Sequence, residues 1–426
     1  MIIYTVKEGD SVYSIAKKNN TTPSRIITDN NLDNPQKLSI GQTLVLLYPT
    51  LTYTVRGGDT LNSIANAYGV SLNQLWRNNP QLAGGNYIYP GQILNIAYET
   101  PPLGTVKTNG YAYPYIDRSV LRTTLPYLTY LSIFTYGIRP DGTLIPPTGG
   151  DSELIALARE YGTTPLMMLT SLTEEGTFSN ELVAGILQNE ALADRVIENT
   201  LAVLREKGYG GLDVDFEYIP AEYREAYPAF LNKLREQLTP EGYVLFASLA
   251  PKSSADQRGL LYEGHDYGAV GNAVDYSLLM TYEWGYQFGP PLAVAPIRNV
   301  EEVVRYAVSV IPPEKILLGV PNYGYDWPLP YVKGETEAKG LSTTAAFDLA
   351  YQKGATIMFD EESQAPYFNY YDENGKEHVV WFENARSVQA RLDLVNKYSL
   401  GGISVWQIMR YFPQLYSLLG AEYESL

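Results

Sequence analysis

Between Gly210 and Tyr218 the chain reads Gly-Gly-Leu-Asp-Val-Asp-Phe-Glu-Tyr, which sets Asp213, Asp215 and Glu217 two residues apart inside an apolar segment. Side chains of a strand alternate faces, so the three acids share one face and Leu212, Val214 and Phe216 the other. The apolar face can pack under a covering helix, and the acidic face must line a space that tolerates three carboxylates. Like charges crowded in a partly dry site raise at least one pKa, leaving a protonated acid beside an ionised carboxylate at neutral pH. Such a pair is equipped to break a glycosidic bond.

Composition removes other chemistries. The chain has no Cys, so a thiol nucleophile, a disulfide framework and a Cys-ligated zinc are excluded. Its two histidines, His265 and His378, form no HExxH pattern and neither stands by a G-x-S-x-G run, which argues against a metalloprotease and a serine hydrolase. No metal or cofactor is called for.

Length points to more than one domain, since 426 residues exceed one ordinary core. Residues 1–100 hold seven Lys/Arg against six Asp/Glu, so nearly all of the net charge of −16 belongs to the remainder. An acidic body argues against nucleic acid as a partner, and the lack of a stretch of some twenty apolar residues argues against a membrane. The N-terminus enters a strand pattern directly, without a charged and then apolar leader, so no cleaved export signal is expected in this chain.

A repeat occupies the first hundred residues. Tyr4-Thr-Val-Lys-Glu-Gly-Asp-Ser-Val-Tyr-Ser-Ile-Ala16 recurs as Tyr53-Thr-Val-Arg-Gly-Gly-Asp-Thr-Leu-Asn-Ser-Ile-Ala65, and each copy continues through an Asn pair to a closing strand after Gly41-Gln42 or Gly91-Gln92. Tyr-Thr-Val reads as a short strand, and Gly-Asp as a turn that caps a helix starting at Ser11 or Thr60. Each copy is therefore a βααβ unit, at residues 1–49 and 50–98. Residues 99–104 read as a linker.

From 105 to 426 strands and helices alternate, as in a parallel barrel. Candidate strands run over 108–113, 128–135, 165–169, the acid segment, 243–250, 276–282, 316–321 and 402–407. Helices are expected at 221–237 and 300–310, the latter capped by Asn299. Eight such strands make a (β/α)8 TIM barrel of α/β class, with its site at the C-terminal strand ends, where Glu217 falls. About eighty residues separate the last two strands, against roughly thirty or more for a simple unit. The excess, about 328–395, reads as a small α+β insertion with a hairpin at Asp372-Glu-Asn-Gly-Lys376.

The acid run resembles the signature of glycoside hydrolase family 18, the chitinase-like family, in which Asp-Gly-x-Asp-x-Asp-x-Glu ends the fourth barrel strand. The resemblance implies Glu217 as proton donor, Asp215 as its partner and Asp213 behind it; Gly210 stands where the pattern has its first Asp. Met280-Thr-Tyr-Glu-Trp284 resembles the family's Met-x-Tyr-Asp, which implies that Tyr282 meets the substrate N-acetyl group and that Glu283, one methylene longer than Asp, faces the sugar. Trp406 matches the aromatic floor of the site, with Asn322 and Tyr111 as further contacts. Tyr113, Tyr136 and Tyr323 are other cleft candidates.

The repeats look like LysM modules, a resemblance that implies binding of N-acetylglucosamine glycans such as peptidoglycan or chitin. The implied contacts are Gly9, Asp10, Ser11, Val12 and Ile27 in the first copy. In the second they are Gly58, Asp59, Thr60, Leu61 and Tyr87. The whole arrangement resembles the spore cortex-lytic N-acetylglucosaminidases of endospore-forming bacteria. That implies a peptidoglycan hydrolase of the spore coat and cortex boundary or of the cell wall. A chitinase and a non-catalytic glycan-binding protein are the alternatives.

Overall fold

A computed structural model describes residues 1–98 and 102–425. The first repeat pairs Ile2–Thr5 antiparallel with Thr43–Leu46 and folds the helices Val12–Lys18 and Pro23–Asp29 over them. The second pairs Pro49–Thr54 with Ile93–Tyr98 and carries Leu61–Tyr68 and Leu72–Arg77. Pro49 opposes Tyr98, so it belongs to the second unit and not to the first.

The Gly-Asp turn works differently from the sequence reading. Ser11 and Thr60 are themselves the helix caps, each in a reciprocal box with Ser14 or Ser63. Asp10 instead closes the turn, accepting from the Tyr4 hydroxyl at 2.7 Å and the Lys7 amide at 2.8 Å; Asp59 does the same with Tyr53 and Arg56. One Asn of each pair has a comparable task. Buried Asn30 bonds both the amide and the carbonyl of Val45, and Asn79 bonds both of Asn95, so each side chain acts as one more residue of strand.

Eight parallel strands close into a barrel: Gly104–Ala112, Tyr130–Ile138, Thr164–Thr170, Gly211–Asp215, Val244–Leu249, Tyr276–Leu279, Ile316–Pro321 and Gly402–Trp406. Closure comes from pairing of the first strand with both the second and the eighth. The acid strand ends at Asp215, so Glu217 lies in the turn beyond it, next to Tyr218 with a φ of +53°. Residues 221–237 are not one helix: a single turn at Ala221–Tyr223 precedes Ala226–Leu238. Asn299 is not a cap, because the helix starts at Ile297 behind Pro296, which puts Asn299 inside the first turn. Gly104 opens the first strand and is not linker; the rest of the linker reading, apart from 102 and 103, falls outside the described residues.

The insertion starts earlier than expected. Tyr323–Pro328 is the second strand of a five-stranded antiparallel sheet that also holds Lys339–Ser342, Glu377–Trp381, Ala365–Tyr371 and Met358–Asp360, with Thr343–Lys353 packed on it. Helix Ala385–Tyr398 packs against the barrel helix Ile297–Val308 and leads into the last barrel strand.

The repeats are not free tethers. Leu75, Trp76 and Leu94 of the second share a continuous apolar core with Leu125, Tyr127 and Tyr161 of the barrel. Trp76 lies 4.9 Å from the Tyr161 ring, and the Tyr127 hydroxyl donates to the Arg77 carbonyl at 3.0 Å. The first unit adds Val45 and Leu47 to the same core and is also tied on by polar bonds: Thr43 donates to Gln414 at 3.0 Å and Ser417 to the Asp29 carbonyl at 2.9 Å.

Candidate active site

Asp213 and Asp215 project into the barrel because the two-residue alternation of the strand holds to its end. On the opposite face Phe216 stacks on Phe230 of Ala226–Leu238, centroids 5.9 Å apart, as the apolar half of the run requires. Asp213 is fully buried and accepts from Tyr111 at 2.7 Å and Ser132 at 2.8 Å. Ser132 lies within 3.2 Å of Asn109 Oδ1, and Asn109 donates to Ser404 at 3.0 Å. The first, second, fourth and eighth strands are thus joined by one polar chain beneath the carboxylates.

Burial pushes the Asp213 carboxyl up to about 6, against the pull of its two hydroxyl donors. Asp215 is likewise held well above the usual carboxylate range, by burial first and then by the charges of Glu217 and Asp213. Glu217, half-buried, is raised by burial. The pair of Asp215 and Glu217 therefore retains a proton well above the ordinary carboxylate range.

A cavity of about 520 Å³ opens at these strand ends, lined among others by Asp215, Glu217, Tyr282, Glu283, Trp284 and Trp406. The Trp406 ring is set by Tyr111 at 5.4 Å and Phe134 at 5.6 Å. Glu283 has a φ of +68° and stands at the rim, where the Tyr323 hydroxyl and, at 3.0 Å, the Tyr325 hydroxyl donate to it. Both tyrosines belong to the insertion sheet, which therefore reaches the cavity through Glu283.

Several sequence candidates lie elsewhere. Asn322 is buried with its amide on the Arg410 carbonyl and does not line the cavity. Tyr111 lines it by its ring alone, because its hydroxyl is taken by Asp213. Tyr136 is buried against Asp151, and Tyr113 lines a neighbouring cavity of about 300 Å³ with Tyr115 and Phe134. Gly210 has no room for the acid of the motif: a Cβ there would fall 2.4 Å from the Thr164 methyl. In the repeats Val12 and Leu61 are core residues, 5% and 3% exposed, so they offer a ligand no side-chain surface. Ile27 is half-buried on the first core; Gly9, Ser11, Gly58, Thr60 and Tyr87 are exposed, and Asp10 and Asp59 partly so.

Sequence reasoning missed His265. Its Nδ1 accepts from the Ala250 amide at 3.0 Å, so Nε2 carries the hydrogen and donates to the Phe216 carbonyl, also at 3.0 Å. Burial depresses this imidazole from 6.5 to about 4, and it stays neutral. No local motif marks it, since its partners are 15 and 49 residues away. Tyr218, Tyr262 and Tyr286 on the cavity wall were also missed; Tyr218 was signalled only by following Glu217.

Residues 171–410 match the glycosyl hydrolases family 18, and residues 4–46 and 53–97 each match the LysM domain. The chain is 40% identical to the cortical fragment-lytic enzyme of Bacillus anthracis, over 98% of this chain and 97% of that one. It superposes on the crystal structure of the Bacillus cereus spore cortex-lytic enzyme SleL with a TM-score of 0.84, at 40% identity, covering 100% of this chain and 98% of the other. A chitinase of Chromobacterium violaceum is similar over 74% of this chain and 98% of its own, with a TM-score of 0.69 at 25% identity. With its acids at the ends of a closed barrel and two LysM units ahead of it, the chain belongs to glycosyl hydrolase family 18 and is a glycoside hydrolase.

Proposed function

We propose that this enzyme hydrolyses spore cortex peptidoglycan at the β-1,4 bond on the reducing side of N-acetylglucosamine, using the substrate's own acetamido oxygen as nucleophile. The full-length similarity to cortical fragment-lytic enzymes supports the substrate. On this reading the enzyme works at the boundary of spore coat and cortex, and the LysM units hold its glycan.

One observation carries the mechanism. Asp215 lines the cavity, yet its buried Oδ1 has no hydrogen-bond partner among the described residues. A buried acceptor left open costs about 1–3 kcal/mol, and the N–H of a 2-acetamido group would satisfy it. Held there, with the Tyr282 hydroxyl donating to its carbonyl, the acetamido group aims its oxygen at C1. That oxygen bonds to C1 as the bond to the leaving oxygen breaks, and Glu217 gives the leaving oxygen its proton. Water then opens the cyclic intermediate, returning a proton to Glu217 and leaving the β configuration. Trp406 forms the floor against the apolar sugar face.

The sugar at the cleavage point must carry a free N-acetyl group. Muramic lactam ties its nitrogen into a ring and cannot deliver that oxygen, and ordinary muramic acid carries a bulky lactyl group that the site is not expected to take. Mass spectrometry of cortex digests should therefore show new reducing ends of N-acetylglucosamine, and NMR an initial β anomer. Reducing muramic residues, or an initial α anomer, would refute the mechanism.

A further inference from the structure

The two LysM units share a local fold but not their surroundings. Their loops before the last strand superimpose in sequence, with Lys37 to Gln42 matching Tyr87 to Gln92, and are held alike: Ser39 N donates to Gln42 Oε1 at 3.1 Å, and Tyr89 N to Gln92 Oε1 at 3.2 Å. In the first unit this loop is clamped to the barrel insertion. Ser39 is 3% exposed and donates to the Phe347 carbonyl at 2.9 Å, and the Ile40 carbonyl accepts from Ile357 N at 2.9 Å. A Cβ on Gly41 would fall 1.9 Å from the Ile357 carbonyl oxygen. In the second unit the loop is open: Tyr87 is 97% and Tyr89 67% exposed, and a Cβ on Gly91 meets nothing within 4 Å among the described residues.

We infer that the units divide the work: the second grips insoluble N-acetylated glycan through Tyr87 and Tyr89, while the first is a fixed clamp on the insertion sheet that reaches Glu283. The inference rests on the reading of these units as glycan binders and assigns that binding to one of them. Aromatic rings held in solvent are suited to stack on the apolar faces of sugars, and Tyr87 and Tyr89, two residues apart in one loop, make a paired platform that the single exposed Tyr13 of the first unit does not. In the loop of the first unit Ser39 and Gly41 face the insertion, and the side chains it leaves exposed, Lys37 and Ile40, offer no aromatic ring. Glycan retention thus does not gain from two linked sites. The insertion sheet is in turn braced by a module outside the barrel.

The test uses the full chain. Pelleting with purified insoluble peptidoglycan should weaken about tenfold or more in Tyr87→Ala/Tyr89→Ala, the scale of a central aromatic contact, whereas Tyr13→Ala, at the exposed aromatic of the first unit, should change it less than about twofold. Gly41 and Gly91 have φ of +85° and +91°, so Ala strains both backbones alike and only Gly41→Ala meets Ile357. Gly41→Ala should therefore lower Tm well beyond Gly91→Ala. Equal losses of pelleting from the two aromatic variants, or equal Tm shifts from the two glycine variants, overturn the division. A wild-type chain that does not pellet overturns the glycan-binding reading itself.

Discussion

The Phe216 carbonyl accepts a hydrogen bond from the ring of His265 at 3.0 Å, which anchors the turn that presents Glu217 to the cavity. The imidazole also ties that turn to the Ala250 amide at the end of the fifth barrel strand. His265→Ala leaves two buried backbone groups without partners and should cost about 2–6 kcal/mol, at about 1–3 for each. It should also lower kcat with little change in KM, because Glu217 loses its setting while the rest of the cavity wall, Trp406 included, stays. A variant with normal kcat would limit His265 to stability.

The same residue sets a pH signature. With a folded pKa near 4 against 6.5 unfolded, its contribution is complete above 6.5 and is lost as pH falls toward 4. Asp213 acts in the opposite sense: raised from 3.8 to about 6, it is costly while ionised, and the fold recovers that cost as pH falls through 6. Removing His265 leaves the second effect alone. Tm of His265→Ala should thus fall less between pH 7 and pH 5 than Tm of the wild type, as read by thermal melts at both values.

Glu217→Gln should reduce kcat by roughly a hundredfold or more, the usual contribution of a general acid, and leave glycan binding near normal. Turnover and equilibrium binding on soluble fragments measure the two separately. Near-normal hydrolysis would remove Glu217 from its role.

Asp213→Asn keeps an oxygen for Tyr111 and Ser132 and deletes a charge that raises Asp215. The proton shared between Asp215 and Glu217 is then lost more easily. The alkaline limb of the kcat/KM profile should move to lower pH, and a limb that moves up or stays fixed would uncouple Asp213 from the pair.

Deletion of residues 1–98 should destabilise the barrel. It uncovers Tyr161 and Tyr127, and loss of a contact the size of Trp76 alone costs about 3–5 kcal/mol, which at about 2–4 °C per kcal/mol lowers Tm by roughly 10 °C. Thermal melts of the shortened chain against the whole check this. An unchanged midpoint would make the LysM units true appendages.

What the sequence determined by itself was local and periodic. The alternation through Asp213, Asp215 and Glu217 put acids on one side and Phe216 on the other, and the spacing of strand and helix patterns implied the barrel. The repeated Gly-Asp-Ser/Thr turns marked two small units. These features depend on neighbours a few residues apart, so a period of two, a cap or a tight turn is enough to reveal them. Tertiary structure alone decided that Asn322 faces Arg410, that Tyr111 spends its hydroxyl on Asp213, and that His265 supports the acid turn. It alone decided, too, that one LysM loop is clamped by Ile357 while its copy stands in solvent. Each of these joins residues brought together only when the barrel closes and its insertion folds back. Two sequence repeats that are nearly alike acquire different neighbours, and no local pattern records which neighbour a loop will meet.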